Sequence, residues 1–406
     1  MKIKPFKALR PTESKARLLA SVPYDVVDTA EARALAQDNP ESFLHVSRPE
    51  IDLPDSIDIY DDRVYAQGVR ALQDLIRRGT LIREESPRLY VYRQVMGSHS
   101  QTGVVACCSI DDYAQNVIRR HEKTRKDKED DRTRYCLDLN ANTGPVFLTY
   151  RDRTGIDTKV REIQGEKPLY DFTAEDGIRH TVWAVSEQLD AWVEEFSEIP
   201  LAYVADGHHR AAAAFRTGEL RRAAHPGFTG KEAFNWFLAV LFPASQLKIL
   251  PYNRCVADLN GMTPGEFLER VRAIFKTEAV EDAEPRGGRE VRMYLDHRWY
   301  ALSWEAFEAD PVSRLDVSVL QDRLLAPLLA IEDPRTDRRI SFIGGIRGTD
   351  ELQSRVDSGK AAVAFSLYPV TVGEMIDIAD AGQIMPPKST WFEPKLRSGL
   401  LIHELE

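Results

Sequence analysis

The segment with the clearest chemical potential is VADGHHRAAAAF, Val204 to Phe215. The apolar run Leu201 to Ala205 is typical of a strand, and the alanine-rich stretch Ala211 to Thr217 is typical of a helix. Free backbone N–H groups and the positive end of the helix dipole meet at the start of such a helix. The segment therefore predicts a site for a phosphate or a carboxylate at the turn between strand and helix, Asp206-Gly207-His208-His209-Arg210.

The residue types in this turn suit an anionic ligand. Gly207 allows a ligand to approach the backbone closely, and Arg210 offers a rigid fork that binds two oxygens at once. His208 and His209 can donate hydrogen bonds or exchange protons near neutral pH. A simpler alternative remains open on spacing alone, with Asp206 as a helix cap and the other side chains on the surface. A shared metal ion is not expected, because adjacent helical histidines point about 100° apart.

A second candidate segment is the most charged stretch of the chain, Asn116 to Tyr135, which lacks helix breakers and is expected to be at least partly helical. Its mixture of basic, imidazole, hydroxyl and acidic groups is able to bind phosphate and carry a proton. A solvated charged face is the alternative. Interspersed acids and the lack of an aromatic platform argue against nucleic acid. The residues singled out are Arg120, His121, Glu122, Lys123 and Thr124.

Two further segments contain candidate residues. Pro23-Tyr24-Asp25 places Asp25 as a base or metal ligand, or equally as an acid that stabilises a turn. Lys388, Ser389 and Thr390 follow two prolines and offer an ammonium and two hydroxyls to a phosphate, with a docked C-terminal strand as the alternative. The chain has no GxSxG, HExxH or P-loop motif, which excludes several other enzyme classes.

Four segments spread over nearly the whole chain are SVPYDVV at 21–27, RHEKT at 120–124, ADGHHRAAAA at 205–214 and MPPKSTWFEPKL at 385–396. Together they resemble the bacterial and archaeal family DUF1015. The DGHHR turn is also similar to the phosphate-binding turn of the ParB/sulfiredoxin superfamily. That superfamily includes free serine kinases, DNA-segregation CTPases and a thiol-repair enzyme. The thiol-repair activity requires a reactive cysteine at the turn, and this chain has His208 and His209 there instead.

The resemblance implies a nucleotide-dependent kinase that phosphorylates free L-serine to O-phosphoserine with Mg²⁺, using ATP or ADP. Under this hypothesis residues 207–210 cradle the nucleotide phosphates, and Asp206 ligates Mg²⁺ or acts as general base. Glu122 and Asp25 are the alternative bases. The alternative function is a nucleotide-binding regulatory or sensor protein of the same superfamily without kinase activity. The sequence does not choose among ATP, ADP, CTP and pyrophosphate as donor, and it does not fix the acceptor.

The elements that must position these residues alternate between strand-like and helix-like along the 406 residues. This length predicts two or three domains. The expected fold class is mixed α and β (α+β), with a ParB/sulfiredoxin-like core and a second mixed domain. The expected division is an N-terminal α/β segment at 1–110, the core carrying the turn at 111–260 and a C-terminal α/β domain at 261–406.

Composition excludes several other classes. The formal net charge of −10 argues against a protein that coats nucleic acid. The four cysteines form no CxxC pair and are too few for a disulfide framework. No apolar stretch approaches the ~20 residues of a membrane span, and the N-terminus lacks the apolar region of a secretory signal. A cytoplasmic location without membrane attachment is therefore expected, and the oligomeric state is left open.

Overall fold

The computed structural model describes residues 1–406, and the chain divides into two units. Unit 1 comprises Met1–Leu247 and Pro394–Glu406, whereas unit 2 comprises Lys248–Glu393. Both units combine helices with sheets, which confirms the predicted mixed class. The ParB/sulfiredoxin-like core and the three segments 1–110, 111–260 and 261–406 stay predictions, and strands from the first two of these segments share one sheet.

The chain contains twenty-one strands and fourteen α-helices. The strands are β1 Ile3–Lys4, β2 Ala8–Pro11, β3 Leu81–Arg83, β4 Leu89–Met96, β5 His99–Ser109, β6 Ile118–Arg119, β7 Ala141–Asn142, β8 Val146–Tyr150, β9 Tyr170–Thr173, β10 Arg179–Val185, β11 Ala202–Asp206, β12 Trp236–Pro243, β13 Lys248–Leu250, β14 Tyr252–Val256, β15 Lys276–Val280, β16 Glu290–Leu295, β17 Arg298–Ser303, β18 Ile340–Gly344, β19 Val363–Leu367, β20 Trp391–Glu393 and β21 Ile402–Glu404. The helices are α1 Ala16–Leu19, α2 Thr29–Ala36, α3 Leu44–Ser47, α4 Asp62–Arg77, α5 Ile110–Ala114, α6 Lys126–Leu139, α7 Thr154–Gln164, α8 Leu189–Ser197, α9 His208–Ala224, α10 Pro264–Arg272, α11 Asp316–Leu320, α12 Ala326–Leu329, α13 Asp350–Asp357 and α14 Val372–Asp380.

Unit 1 is built on a nine-stranded sheet in the order β6-β11-β8-β12-β5-β4-β10-β9, with β1 added on β5. The central strands are apolar along most of their length, because both faces of the sheet are covered. β11 pairs parallel with β6 and antiparallel with β8. A smaller sheet in the same unit has the order β3-β2-β21-β7.

Unit 2 contains a six-stranded sheet in the order β15-β17-β16-β19-β14-β18. All of its pairings are antiparallel. A separate pair of strands, β13 and β20, also belongs to this unit. The acidic, Gly-rich stretch 280–290 connects β15 to β16 within unit 2.

Locally encoded elements lie close to where the sequence predicts them. Apolar residues recur at helical spacing between Asp61 and Arg78, and this stretch forms α4. Gly79 follows it with φ +72°, the left-handed conformation typical of a helix stop. The charged stretch 116–135 is only partly helical, as expected. It starts with the short strand β6 and a loop before α6 begins at Lys126.

Candidate functional site

The predicted strand–glycine–helix turn is present at the end of β11. Asp206 is the last residue of the strand, Gly207 has φ +90°, and the 17-residue helix α9 begins at His208. A Cβ on Gly207 would lie 3.0 Å from the guanidinium carbon of Arg210. Glycine is therefore required here both for its conformation and for the close approach of the arginine.

Two cations converge on the carboxylate at this turn. Arg210 Nη2 lies 3.2 Å and Lys395 Nζ lies 3.6 Å from Asp206 Oδ2. Both cationic side chains are nearly buried, with exposed fractions of 9% for Arg210 and 12% for Lys395. Arg210 also donates from Nη1 to the Pro145 carbonyl, while its Nε is buried without a hydrogen-bond partner. The site therefore holds an arginine donor that the protein itself leaves unused.

The charges fix the protonation state of Asp206. Burial by itself would raise the pKa of Asp206, but the positive charges of Lys395 and Arg210 outweigh burial and hold this pKa well below its ordinary value. A carboxylate with so low a pKa is a weak base at neutral pH. The geometry favours Asp206 as an anchor for the two cations, and its role as general base stays a prediction.

Two histidines pack against each other beside the turn. The rings of His121 and His208 meet edge to face, with centroids 4.5 Å apart. Burial lowers the pKa of His121 to about 4 and the pKa of His208 well below its usual range, so both rings are neutral at pH 7. Glu122 Oε2 lies 3.7 Å from His208 Nδ1, beyond hydrogen-bond distance. The structure thus brings His121 and Glu122 of the charged segment to the predicted turn.

The other candidates of the charged segment have different surroundings. Arg120 stacks over the ring of Tyr113, 4.8 Å from its centroid, and its positive charge contributes to the lowered pKa of His208. Thr124 donates a hydrogen bond to Glu129 over 3.0 Å, and Lys123 is exposed. His209, the second residue of α9, accepts a hydrogen bond at Nε2 from the backbone N–H of Arg125.

A small cavity of about 40 Å³ adjoins Arg210. Tyr24 and Arg132 line it, and the Arg132 guanidinium lies 4.3 Å from the centre of the Tyr24 ring. Asp25 is exposed, and its negative charge contributes to the raised pKa of Arg210. The PYD segment is therefore part of the same region as the DGHHR turn.

Two residues of this region were missed by sequence reasoning. Lys395 lies within the tail segment MPPKSTWFEPKL, where the sequence points instead to the earlier Lys388. Arg132 lies in the charged segment but after the residues singled out there. The one signal for Lys395 in the sequence is its place in the segment MPPKSTWFEPKL, which carries part of the family resemblance.

The three tail candidates Lys388, Ser389 and Thr390 belong to unit 2. The Lys388 ammonium lies 5.5 Å from the centre of the Tyr252 ring, and Ser389 Oγ donates to the Pro386 carbonyl over 2.6 Å. Their predicted contact with phosphate stays a prediction.

The residues around Asp206 do not form a metal-ligand set. The described chain has no group of three or more His, Cys, Asp or Glu side chains able to hold a metal ion, and Asp206 already faces two cations. These residues do not fit a resident Mg²⁺ ion, and Asp206 as its ligand stays a prediction. No helix is both long and apolar enough to cross a membrane.

Comparison with known proteins gives one family and several solved structures. The DUF1015 model, described as a protein of unknown function, matches residues 3–318. No curated protein matches the chain. A free serine kinase in complex with AMP is 13% identical, with 74% of this chain and 91% of that chain covered and a TM-score of 0.36.

Two other solved structures give similar values. SbnI with a C-terminal truncation from Staphylococcus aureus is 11% identical, with 73% and 86% of the two chains covered and a TM-score of 0.38. A conserved hypothetical protein from Pyrococcus furiosus is 14% identical, with 74% and 94% covered and a TM-score of 0.35. TM-scores this low do not establish a shared fold.

Proposed function

This chain belongs to the DUF1015 family, and we propose that it is a phosphotransferase that uses a nucleotide to phosphorylate a small hydroxyl compound, free L-serine first among the acceptors. The observation that carries the proposal is the convergence of Arg210 and Lys395 at the N-terminus of α9. A helix N-terminus with adjacent cations is complementary to phosphate oxygens.

The chemistry of phosphoryl transfer requires little covalent participation by the protein. It requires positioning of donor and acceptor and neutralisation of the charge on the transferred group. The free N–H groups at the start of α9 and the unused Nε donor of Arg210 supply hydrogen bonds to the donor phosphates. Lys395 supplies a second positive charge, and Mg²⁺ would arrive with the nucleotide, ATP or ADP.

The acceptor hydroxyl must lose its proton, and we assign Glu122 as the general base that accepts it. The low pKa of Asp206 makes that carboxylate a poor proton acceptor, whereas Glu122 faces the neutral ring of His208 at 3.7 Å. His208 keeps a buried Nε2 atom without a hydrogen-bond partner, which is available to a bound molecule. Asp25, which is exposed, is the second alternative.

The decisive experiment measures O-phosphoserine by mass spectrometry. Purified full-length protein is incubated with Mg²⁺ and L-serine, and with ATP, ADP, CTP or pyrophosphate in turn. We expect product with at least one nucleotide and a loss of about 100-fold or more in the Arg210→Ala variant, since a charge-stabilising donor is removed. The matched control is Arg216→Ala on the same helix, whose side chain is 40% exposed and pairs with Asp130.

The alternative is a nucleotide-binding regulatory protein that uses the same turn without turnover. Thermal stabilisation by nucleotide that depends on Arg210, without product from any donor, would favour that function. Product formation that survives Arg210→Ala, in protein with unchanged circular dichroism, would place the activity elsewhere in the chain.

A further inference from the structure

An arginine is buried in unit 2 at the centre of a strand. Arg254 lies in β14, with an exposed fraction of 3%, and is in register with Phe342 of β18 and Phe365 of β19. Its guanidinium lies 5.3 Å from the centre of the Phe342 ring. The charge is thus held in an aromatic environment rather than at the surface.

All the hydrogen-bond acceptors of Arg254 are neutral. Nη1 donates to the Tyr252 carbonyl, and Nη2 donates to the carbonyls of Lys388 over 3.0 Å and Pro387 over 3.4 Å. No carboxylate forms an ion pair with this side chain. Burial lowers the pKa of Arg254, but a guanidinium stays protonated at neutral pH. Because buried charges are normally paired, Arg254 is suited to bind an anion.

Arg254 lines a cavity of about 210 Å³ that also contains two acids. Asp316 accepts from the backbone N–H of Arg289 through Oδ1, and Glu374 accepts through Oε2 from the backbone N–H and the hydroxyl of Thr371, the N-cap of α14. Asp316 Oδ2 and Glu374 Oε1 accept no hydrogen bond within the protein. Burial raises the pKa of Asp316 to about 6, helped by the charge of Glu374, so a cationic ligand group there would be stabilising.

The rest of the cavity wall includes aliphatic side chains, among them Leu315, Val317 and Val370. A ligand that satisfies this wall and the polar groups combines a carboxylate, a positive charge and a small apolar body. We propose that the cavity binds an α-amino acid with an aliphatic side chain, its carboxylate on Arg254 and its ammonium on Asp316 and Glu374. This site is independent of the phosphotransferase function proposed for unit 1.

The test compares three molecules that differ by one charged group each. L-valine, 3-methylbutanoate and 2-methylpropylamine are titrated into the full chain without nucleotide, and binding is followed by calorimetry and ligand-observed NMR. We expect L-valine to bind and each analogue to bind at least about tenfold more weakly, because a charge-assisted hydrogen bond is lost. This comparison does not depend on whether any variant folds.

Substitution of the acid gives an independent readout. Asp316→Asn keeps an acceptor for the Arg289 N–H and is expected to weaken L-valine about tenfold while leaving 3-methylbutanoate unchanged. Asp296→Asn, an exposed residue in the β16–β17 turn, is the matched control. Absence of binding by L-valine, L-alanine and L-leucine, or equal affinity for 3-methylbutanoate, would overturn the proposal. Arg210→Ala should leave L-valine binding intact, which separates this site from the one in unit 1.

Discussion

Arg210 in unit 1 and Arg254 in unit 2 are both nearly buried, yet their guanidinium groups have different hydrogen-bond acceptors. Arg210 has the carboxylate of Asp206 at 3.2 Å, on the residue four positions earlier. Arg254 has only backbone carbonyls as acceptors. A ligand phosphate in unit 1 must therefore share Arg210 with an internal acid, whereas a ligand carboxylate in unit 2 would be the first counter-charge that Arg254 meets.

Both arginines are therefore candidates for binding an anion, although one lies in a sequence motif and the other lies outside any motif. Asp206 holds Arg210 and Lys395 in place, at the expense of part of their attraction for an incoming anion. Arg254 is held by carbonyls and a ring, so no acid paired with it would compete with a ligand carboxylate for its charge. Each unit can be perturbed separately to test this comparison.

The largest expected difference between the units is their response to acid. Unit 1 contains the four buried histidines of the chain, His121, His180, His208 and His403, and burial lowers the pKa of each. The unfolded chain binds protons at these residues near pH 6.5 but the folded unit does not. Stability is therefore lost as the pH falls below 6.5, by about 2 kcal/mol per histidine at pH 5.

Unit 2 has a single histidine, the exposed His297. Protonation of its Asp316 changes the free energy of unfolding in the opposite direction. Because burial raises the pKa of Asp316 to about 6, proton uptake there favours the folded state as the pH falls. Hydrogen exchange at pH 7 and pH 5, corrected for intrinsic rates, should show peptides of unit 1 losing protection first. Equal losses in both units would contradict this assignment.

The second expected difference is the effect of removing one charge. Asp206→Asn leaves Arg210 and Lys395 facing a neutral amide and should lower the free energy of unfolding by about 2 kcal/mol at pH 7. The pKa of Asp206 is depressed in the folded state, so this loss should begin to shrink as the pH falls below about 4, where Asp206 of the unfolded wild-type chain binds a proton and the folded wild-type carboxylate does not yet do so.

Arg254→Met is the counterpart in unit 2. It removes a charge that never had a carboxylate partner, so the free energy of unfolding should change by no more than about 1 kcal/mol. Urea denaturation of the two variants and the wild type measures both effects. A larger cost for Arg254→Met than for Asp206→Asn would reverse the comparison.

The third expected effect concerns the backbone of the turn in unit 1. Gly207→Ala forces a side chain onto φ +90° and pushes a Cβ against Arg210, which should cost about 1–2 kcal/mol. Gly227→Ala is the control, because nothing lies within 4 Å of a Cβ there and its φ is not positive. Thermal unfolding should separate the two variants, and an unchanged Tm for Gly207→Ala would show that the turn has other accessible conformations.

The sequence by itself determined the local parts of this protein. The order β11, Gly207, α9 and the end of α4 at Gly79 follow from hydrophobic spacing and from the freedom of glycine at positive φ, which act within a few residues. The mixed fold class follows from the same local patterns. A family resemblance spread over four segments added the membership that the family model confirms.

Only the tertiary structure decided which charges meet. Strand β6 forms because it pairs with β11 at the edge of the large sheet, so the charged stretch 116–135 becomes helical only from Lys126. Lys395 reaches Asp206 because the C-terminal segment returns to unit 1, and Arg254 is left without an acid by the strands that flank it. Such contacts join residues far apart in the chain, where neither spacing nor propensity carries information.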